Sequence, residues 1–228
     1  LKSFDLASLN FLKQYSIIPQ QFKDITFDKG KINLNCRIHN NKINAYSDLG
    51  GIALSYNPIG LPIKIVNGSF IVKNNTLKLN KINLLADDMP ILLDGTVSDI
   101  FKKQIFDIYI NSKPKQDFID KYINKNQIYP VKIKGDIVYT LRAKGVKDNF
   151  DVKAEVNLAK DSSIYHLGAT VGDIENAIVM NFDAKIQKQN LVKIKEFSYD
   201  KIISSLGNRQ TRLNMLKARG GIDVYKDD

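Results

Sequence analysis

The residues able to do chemistry are few and scattered along this chain of 228 residues. The only two histidines, His39 and His166, each stand next to a predicted turn, and the sequence places no catalytic partner beside them. We interpret both as surface or strand-edge histidines. The patterns GxSxG, HExxH, GxGxxG and GxxxxGK[ST] are absent, and with them the standard hydrolase, metalloprotease and nucleotide-binding signatures. The sequence therefore predicts no catalytic site and no cofactor.

Metal and redox chemistry find equally little support in the sequence. Cys36 is the only cysteine, and one thiol forms neither an internal disulfide nor a CxxC pair. Asp87, Asp88 and Asp94 form a small acidic cluster, but their spacing differs from the DxDxDG pattern of calcium loops. We interpret the cluster as a solvated turn, and no metal site is predicted.

The chain is basic, with 34 Lys and Arg against 24 Asp and Glu and a formal net charge of +10. Such a charge favours an anionic partner, either a phosphate backbone or a lipid headgroup. Much of it comes from lysine in a chain also rich in Ile and Asn, a bias typical of an AT-rich genome. Three of the five arginines cluster with a lysine at Arg209, Arg212, Lys217 and Arg219. No aromatic residue lies between them and no RRM, KH or helix-turn-helix pattern is present, so nucleic-acid binding is not predicted.

No window approaches the ~20 consecutive apolar residues of a membrane-spanning helix, and no basic and apolar leader opens the chain. The chain begins at Leu1 rather than Met and ends at Asp228 without an evident stop. We expect it to be a segment of a larger protein or a matured product, with any membrane anchor outside it.

The elements that must position any site are strands, because apolar and polar residues alternate with a period of two. The strongest runs lie at residues 32–38, 106–110, 131–143, 150–158 and 178–186. Turn signals separate the runs, among them Gly50-Gly51, Asn67-Gly68, Asn74-Asn75 and Asp94-Gly95. About 15 strands joined by short turns are predicted, and a sheet of more than ~10 strands closes, splits or curls. The sequence predicts an all-β fold with minor α, an elongated, strongly twisted antiparallel meander that forms an open apolar groove.

Two segments depart from this alternation and predict helices, at residues 4–15 and 117–125. The second lies near the midpoint, so we predict two domains, 1–116 and 117–228, each with a helix and a portion of the groove. Residues 202–219 are ambiguous, since their leucines permit a helix while Gly207 and Gly220-Gly221 interrupt it.

The apolar faces of consecutive hairpins are expected to merge, because neighbouring strands place residues of equal parity on one face. Only two short helices are predicted to cover that face. Either the sheet folds over and leaves an apolar trough, or the cover lies in the rest of the protein. The predicted lining residues are Ile32, Leu34, Leu77, Leu79, Ile91, Leu93, Phe106, Ile108, Ile137, Leu141, Val152, Val156, Ile178, Met180 and Phe182.

Residues 61–113 contain a G-x-φ strand, a polar hairpin, a φ-x-φ-x-x-φ strand and a φ-x-φ-x-G-x-φ strand in this order, where φ is apolar. The last of these is ILLDGTV at 91–97. This order resembles the AsmA-like superfamily. With DLASL at 5–9 and the helix and strand at 117–131, the chain is most similar to the YhdP branch, which is related to TamB. The likeness covers residues 1–200 and rests on hydrophobic patterns.

The resemblance implies a large envelope protein of Gram-negative bacteria, located in the periplasm and anchored in the inner membrane by an N-terminal helix outside this chain. It implies a repeating β-groove that conducts phospholipids between the inner and outer membranes, a role in outer membrane biogenesis. The partners are then phospholipid acyl chains, and the two membranes through parts outside this segment. Such transport needs no acid, base or nucleophile, which agrees with the absence of catalytic motifs.

Two other functions stay open. A TamB-like scaffold for outer-membrane protein assembly or translocation would pair client strands with its edges. A periplasmic ligand-binding β-domain, including an enzyme or a carbohydrate-binding sandwich, would have a closed two-sheet core and a polar pocket near His39 or His166.

Overall fold

The computed structural model describes residues 2–14, 23–39, 42–100, 102–125, 131–146, 148–166, 169–172, 177–187, 190–199, 202–206, 209–213 and 216–219. Its backbone is mainly antiparallel β-sheet with a few short helices, which confirms the predicted all-β meander with minor α. The chain divides into two compact units, Leu1–Ile110 and Asn111–Asp228. Each unit is built from its own consecutive hairpins.

The first unit is a single meander. Its strands are β1 (Lys2–Asp5), β2 (Ile25–Lys29), β3 (Lys31–His39), β4 (Lys42–Tyr56), β5 (Leu61–Lys73), β6 (Thr76–Ala86), β7 (Met89–Ser98) and β8 (Ile105–Ser112), and 3₁₀ helices span Leu6–Gln14 and Asn57–Ile59. The strands pair antiparallel in the order β1-β3-β4-β5-β6-β7-β8. The long strand β4 pairs with β3 through its first residues and with β2 through its last.

The second unit holds two sheets. It begins with a helical segment, which consists of a short α-helix at Gln116–Phe118 that continues as a π-helix at Ile119–Ile123. The strands are β9 (Val131–Lys134), β10 (Ile137–Val146), β11 (Asn149–Leu158), β12 (Ser163–His166), β13 (Ala169–Gly172), β14 (Ile178–Gln187), β15 (Asn190–Tyr199), β16 (Ile202–Leu206), β17 (Arg209–Leu213) and β18 (Leu216–Arg219). One sheet has the order β10-β11-β14-β15-β18 and the other β17-β16-β13-β12-β9. The described parts of the ambiguous stretch, residues 202–206, 209–213 and 216–219, are thus strands.

The alternating run at 131–143 does not form one strand. Gly135 has a φ of +93°, and a Cβ at this position would lie 2.4 Å from Ser162 Oγ. The chain therefore changes direction there, and β9 and β10 enter different sheets. Alternation alone conceals the break, because Ile133 and Ile137 have the same parity on either side of the glycine.

The predicted N-terminal helix begins later than expected, because residues 2–5 pair with β3 as strand β1. The 3₁₀ helix that follows docks on the edge strand β2. Asn10 binds both backbone groups of Phe27, donating from Nδ2 to the carbonyl oxygen over 2.8 Å and accepting from the N–H over 3.0 Å. This pairing covers part of an edge that would otherwise be open to another strand.

The second unit has a similar contact between an asparagine side chain and an edge strand. Asn124, just after the helical segment, donates to the carbonyl oxygen of Ile133 over 2.9 Å and accepts its N–H over 2.7 Å. Two residues further along the chain, the N–H of Gly135 donates to the Oε1 of Gln116 over 2.7 Å. In each unit an asparagine in or just after a short helix thus binds both backbone groups of an edge-strand residue, so the two units protect an edge strand in the same way.

The central strands of the first unit bend along one row. Three pairs that resemble turn signals, Gly50-Gly51, Asn67-Gly68 and Asp94-Gly95, lie inside β4, β5 and β7, so the prediction of turns at these places is wrong. Gly50 pairs with Asn67 in the next strand, and register shifts mark bulges beside this row in β5 and β6. A bulge needs the same backbone freedom as a turn, which explains the misleading signal.

The bulges keep the apolar residues on one face although their parity changes. In β5, Ile63 and Ile65 are less exposed than their neighbours before the bulge at Val66. Beyond it, Phe70 and Val72 are the less exposed residues. The extra residue of the bulge therefore shifts the apolar set by one position without moving it to the other side of the sheet.

The core of the second unit lies at one end of its first sheet. Ile119 from the helical segment is buried against Ile137, Leu158, Ile178 and Met180, which come from three neighbouring strands. Partly buried residues of β9 and β12 pack against the same cluster. The helical segment and the second sheet therefore cover this end of the apolar face. The sequence predicted the helix but not the covering sheet.

Candidate functional site

The apolar residues of β10, β11 and β14 lie on one face of the second unit. Val152 sits directly opposite Ala143 on β10 and Ala184 on β14, and the same register continues along all three strands. Seven residues predicted as groove lining share this face: Ile137, Leu141, Val152, Val156, Ile178, Met180 and Phe182. The alternation also predicts four further residues on the apolar faces of these strands, although they are not in the predicted lining, and they lie on the same face: Tyr139, Phe150, Ala154 and Ile186.

This face has a closed end and an accessible stretch. Ile137, Ile178 and Met180 belong to the core beneath the helical segment, and Ile178 has no exposed surface. Leu141, Val152 and Phe182 are only half-buried. Ala184, directly opposite Val152, is fully buried, because the larger side chains around it shield it laterally while they themselves stay half-buried.

A similar apolar face crosses the first unit. The register brings together Leu77 with Val72 and Val97, Leu79 with Phe70, Ile91 with Leu84, and Leu93 with Ile82. The four predicted lining residues among these are all half-buried, whereas Ile82 is buried. Direct cross-strand pairing thus produces a second continuous apolar surface over β5, β6 and β7.

The remaining predicted residues lie at the two sides of that sheet. Ile32 and Leu34 pair with residues of β1. The pairing of β3 with β4 involves only residues Asn35–His39 of β3. Ile32 and Leu34 are half-buried, and the described strand pairings do not join them directly to the set on β5–β7. On β8, Phe106 and Ile108 are half-buried, and the position of a Cβ on Gly95 lies 2.9 Å from the Ile108 Cα, so Ile108 packs against β7.

The opposite face of the second unit is ionic. Lys153 lies between Arg142 and Asp183 in the register, and its Nζ is 3.5 Å from the Asp183 Oδ2. One step along the strands, Asp151 lies opposite Lys185. This alternation of signs spreads the charge over the sheet and makes the two faces chemically distinct.

The candidate catalytic and metal-binding residues do not converge. His39 is exposed at the end of β3, and His166 ends β12 with its side chain outside the described residues. Asp87 and Asp88 form the β6–β7 turn, whereas Asp94 lies within β7 and accepts a bulge N–H over 3.0 Å. In the part of the chain that the structure describes, no three His, Cys, Asp or Glu side chains come together as metal ligands would.

Two further candidates lie apart from the apolar faces. Cys36 is exposed on β3. Arg209 and Arg212 lie on β17, and Lys217 and Arg219 on β18, but their side chains lie outside the described residues.

A polar depression follows the bend on the other face of the first unit. Asn83 donates from Nδ2 to Asn67 Oδ1 over 2.6 Å, and Lys81 donates its backbone N–H to Asp94. At its edge the Tyr46 hydroxyl donates to Asp48, and this hydrogen bond, with some burial and the nearby negative charge, raises the pKa of Tyr46 above its usual 10.0. These polar groups bind one another, so the depression stabilises the bend.

No known protein family matches the chain, and neither the curated proteins nor the solved structures yield a match. None of the helices in the described ranges combines the length and the apolar composition that crossing a bilayer requires. The fold and surface define a class: an antiparallel β-meander protein whose units each carry a partly covered apolar face.

Proposed function

We propose that this chain binds phospholipid acyl chains along its half-buried apolar faces, as a segment of a bridge-like lipid transport protein. The observation that carries the proposal is the state of Leu141, Val152 and Phe182, which share one face, are apolar and are only half-buried. An apolar face of a sheet that lacks a covering layer gains stability from an apolar ligand.

The dimensions of the sheets suit such a ligand. Neighbouring strands lie ~4.8 Å apart, so an extended acyl chain of ~20 Å crosses about four strands. The first unit offers four consecutive paired strands in β4–β7, and the second offers β10, β11, β14 and β15. Each methylene group removed from water contributes about 0.8 kcal/mol, so even one-sided burial of an acyl chain supplies several kcal/mol.

The resemblance to the AsmA-like superfamily and its YhdP branch supports the wider part of the proposal. In that setting the segment lies in the periplasm, belongs to a protein anchored in the inner membrane, and passes phospholipids between the inner and outer membranes. The role requires neither a cofactor nor a catalytic group. Subcellular fractionation of the full-length protein tests the location, and recovery in the cytoplasmic fraction would contradict it.

Native mass spectrometry of the purified chain is the direct test of lipid binding. We expect non-covalent adducts whose masses correspond to phospholipids. Val152→Asp places a charge on the accessible apolar face, and we expect it to remove most of the adduct while the far-ultraviolet circular dichroism spectrum is retained. Asn149→Asp is the matched control, because it adds the same charge to the exposed opposite face of the same strand.

Three results would contradict the proposal. The wild-type chain could carry no lipid even when incubated with phospholipid vesicles. Val152→Asp could lose its cooperative melt, which would place Val152 in a closed core. A chain that binds unfolded outer-membrane protein segments, but no lipid, would instead favour the TamB-like scaffold.

A further inference from the structure

One end of the first unit carries three connections side by side. In a meander, alternate connections lie at the same end of the sheet, so the β3–β4, β5–β6 and β7–β8 connections are neighbours. Four exposed cations belong to them: Arg37, Lys73, Lys102 and Lys103. We call this group the basic hairpin end. No ion pair to any of the four is found among the described residues.

Asp99, an acidic residue at this end, already accepts hydrogen bonds from the turn in which it lies. Asp99 accepts the N–H of Lys103 on its Oδ2 over 3.2 Å, and its backbone carbonyl oxygen accepts the N–H of Lys102 over 2.9 Å. It thus holds the turn that presents the two lysines. At the opposite end, the β6–β7 turn places Asp87 and Asp88 instead. The two ends therefore differ in the charge of their turns, although exposed lysines such as Lys29 and Lys64 also lie elsewhere in the first unit.

Exposed aliphatic side chains accompany these cations. Ile38, the penultimate residue of β3, is 69% exposed, and Ile105, the first residue of β8, is 44% exposed. Isoleucine at such exposure gains from an apolar environment that water does not provide. Aliphatic groups next to a cluster of cations are typical of proteins that dock on the interface of an anionic membrane.

We infer that the basic hairpin end docks on the surface of an anionic phospholipid bilayer. The cations meet the headgroups, and Ile38 and Ile105 enter the boundary between headgroups and acyl chains. A bilayer fits better than a nucleic acid, because a phosphate backbone would contact the cations but leave Ile38 and Ile105 in water. The inference goes beyond the proposed acyl-chain binding and uses different residues.

Sedimentation with vesicles tests the charge contribution. The full chain should bind vesicles of phosphatidylglycerol and phosphatidylcholine, bind pure phosphatidylcholine weakly, and lose affinity as salt is raised. Each basic residue near an anionic surface contributes about fivefold in affinity, so Lys73→Gln/Lys102→Gln/Lys103→Gln should lower it about 100-fold. Lys29→Gln/Lys31→Gln/Lys64→Gln changes the net charge equally at exposed lysines elsewhere, and should retain most of the binding. Equal losses in both triple variants would overturn the inference.

Isoleucine variants separate a bilayer from a soluble polyanion. Ile38→Ser/Ile105→Ser should weaken binding to anionic vesicles, while Ile59→Ser, at a side chain that is 57% exposed elsewhere, should not. Unchanged vesicle binding in the double variant, or equally tight binding to a DNA oligonucleotide, would refute membrane docking. Val152→Asp should still dock on vesicles, so failure of acyl-chain binding and failure of docking are distinguishable.

Discussion

Replacement of Gly68 by alanine should be unusually costly for a residue in a strand. Gly68 lies in the bend of β5 with a φ of +144°, and a Cβ there would lie 2.7 Å from the Cα of Ile82 and 2.9 Å from its Cγ1. The first contact is with backbone, and Ile82 is buried, so the neighbouring strand cannot move aside without loss of packing.

The expected loss has two parts. A non-glycine residue in a sparsely populated backbone region costs about 1–3 kcal/mol. Overpacking against a buried neighbour adds about 1–3 kcal/mol. The free energy of unfolding of Gly68→Ala should therefore fall by about 2–6 kcal/mol in total, a large part of the roughly 5–15 kcal/mol typical of a domain.

Urea denaturation followed by far-ultraviolet circular dichroism measures this loss, and Gly60→Ala is the matched control. Gly60 also has a positive φ, +62°, but a Cβ at this position meets nothing within 4 Å. With a slope of about 2 kcal/mol per molar urea, Gly68→Ala should shift the midpoint by about 1–3 M, and Gly60→Ala by clearly less. If the two variants are equally stable, the close approach of β5 and β6 at the bend is refuted.

Three further predictions concern the core, the bulge and the tyrosine pair. Ile178→Ala should lower stability by about 2–5 kcal/mol because Ile178 is fully buried, and a melting temperature within 1 °C of wild type would contradict this core. Asp94→Ala should cost about 1 kcal/mol in urea denaturation by removing the acceptor of the Lys81 N–H, and Asp94→Asn should restore most of it. In nuclear magnetic resonance titrations the pKa of Tyr46 should fall toward 10.0 in Asp48→Ala. The stabilisation from a raised tyrosine pKa is present below 10.0 and is lost as pH rises through the raised value, so an unchanged titration would exclude Asp48 as its cause.

Local alternation was sufficient to predict strands β11 and β14 of the second unit. The runs at 150–158 and 178–186 correspond to β11 and β14, and their apolar residues meet in direct register. This succeeds because a strand with one covered or apolar face must repeat every two residues, whatever lies beyond it. A short connection explains the shared apolar face only for β10 and β11, whereas the pairing of β11 with β14 joins strands that are distant in sequence.

Alternation could not predict the bend of the first unit or the elements that cover Ile178 in the second. Gly50-Gly51 and Asn67-Gly68 provide backbone freedom that a turn and a bulge use equally, and only pairing between distant strands decides which is formed. The cover over Ile178 comes from Ile119 and from β9 and β12, which are far apart in sequence. A period-two pattern contains no information on what packs above the face.

The edge strands, the charged face and the buried core differ in how they are shielded, which explains how part of an apolar face stays half-buried in a folded chain. The edge strands β2 and β9 are bound by Asn10 and Asn124, which limits pairing with other chains. The reverse face of the second unit carries alternating charges around Lys153, which keeps that side hydrated. Cover is concentrated at the Ile178 end, so the core is closed there while the stretch around Val152 is left half-buried. On the proposal of acyl-chain binding, a flexible apolar chain would lie on the half-buried stretch around Val152, whereas a client β-strand would add to an edge strand such as β1, β17 or β18.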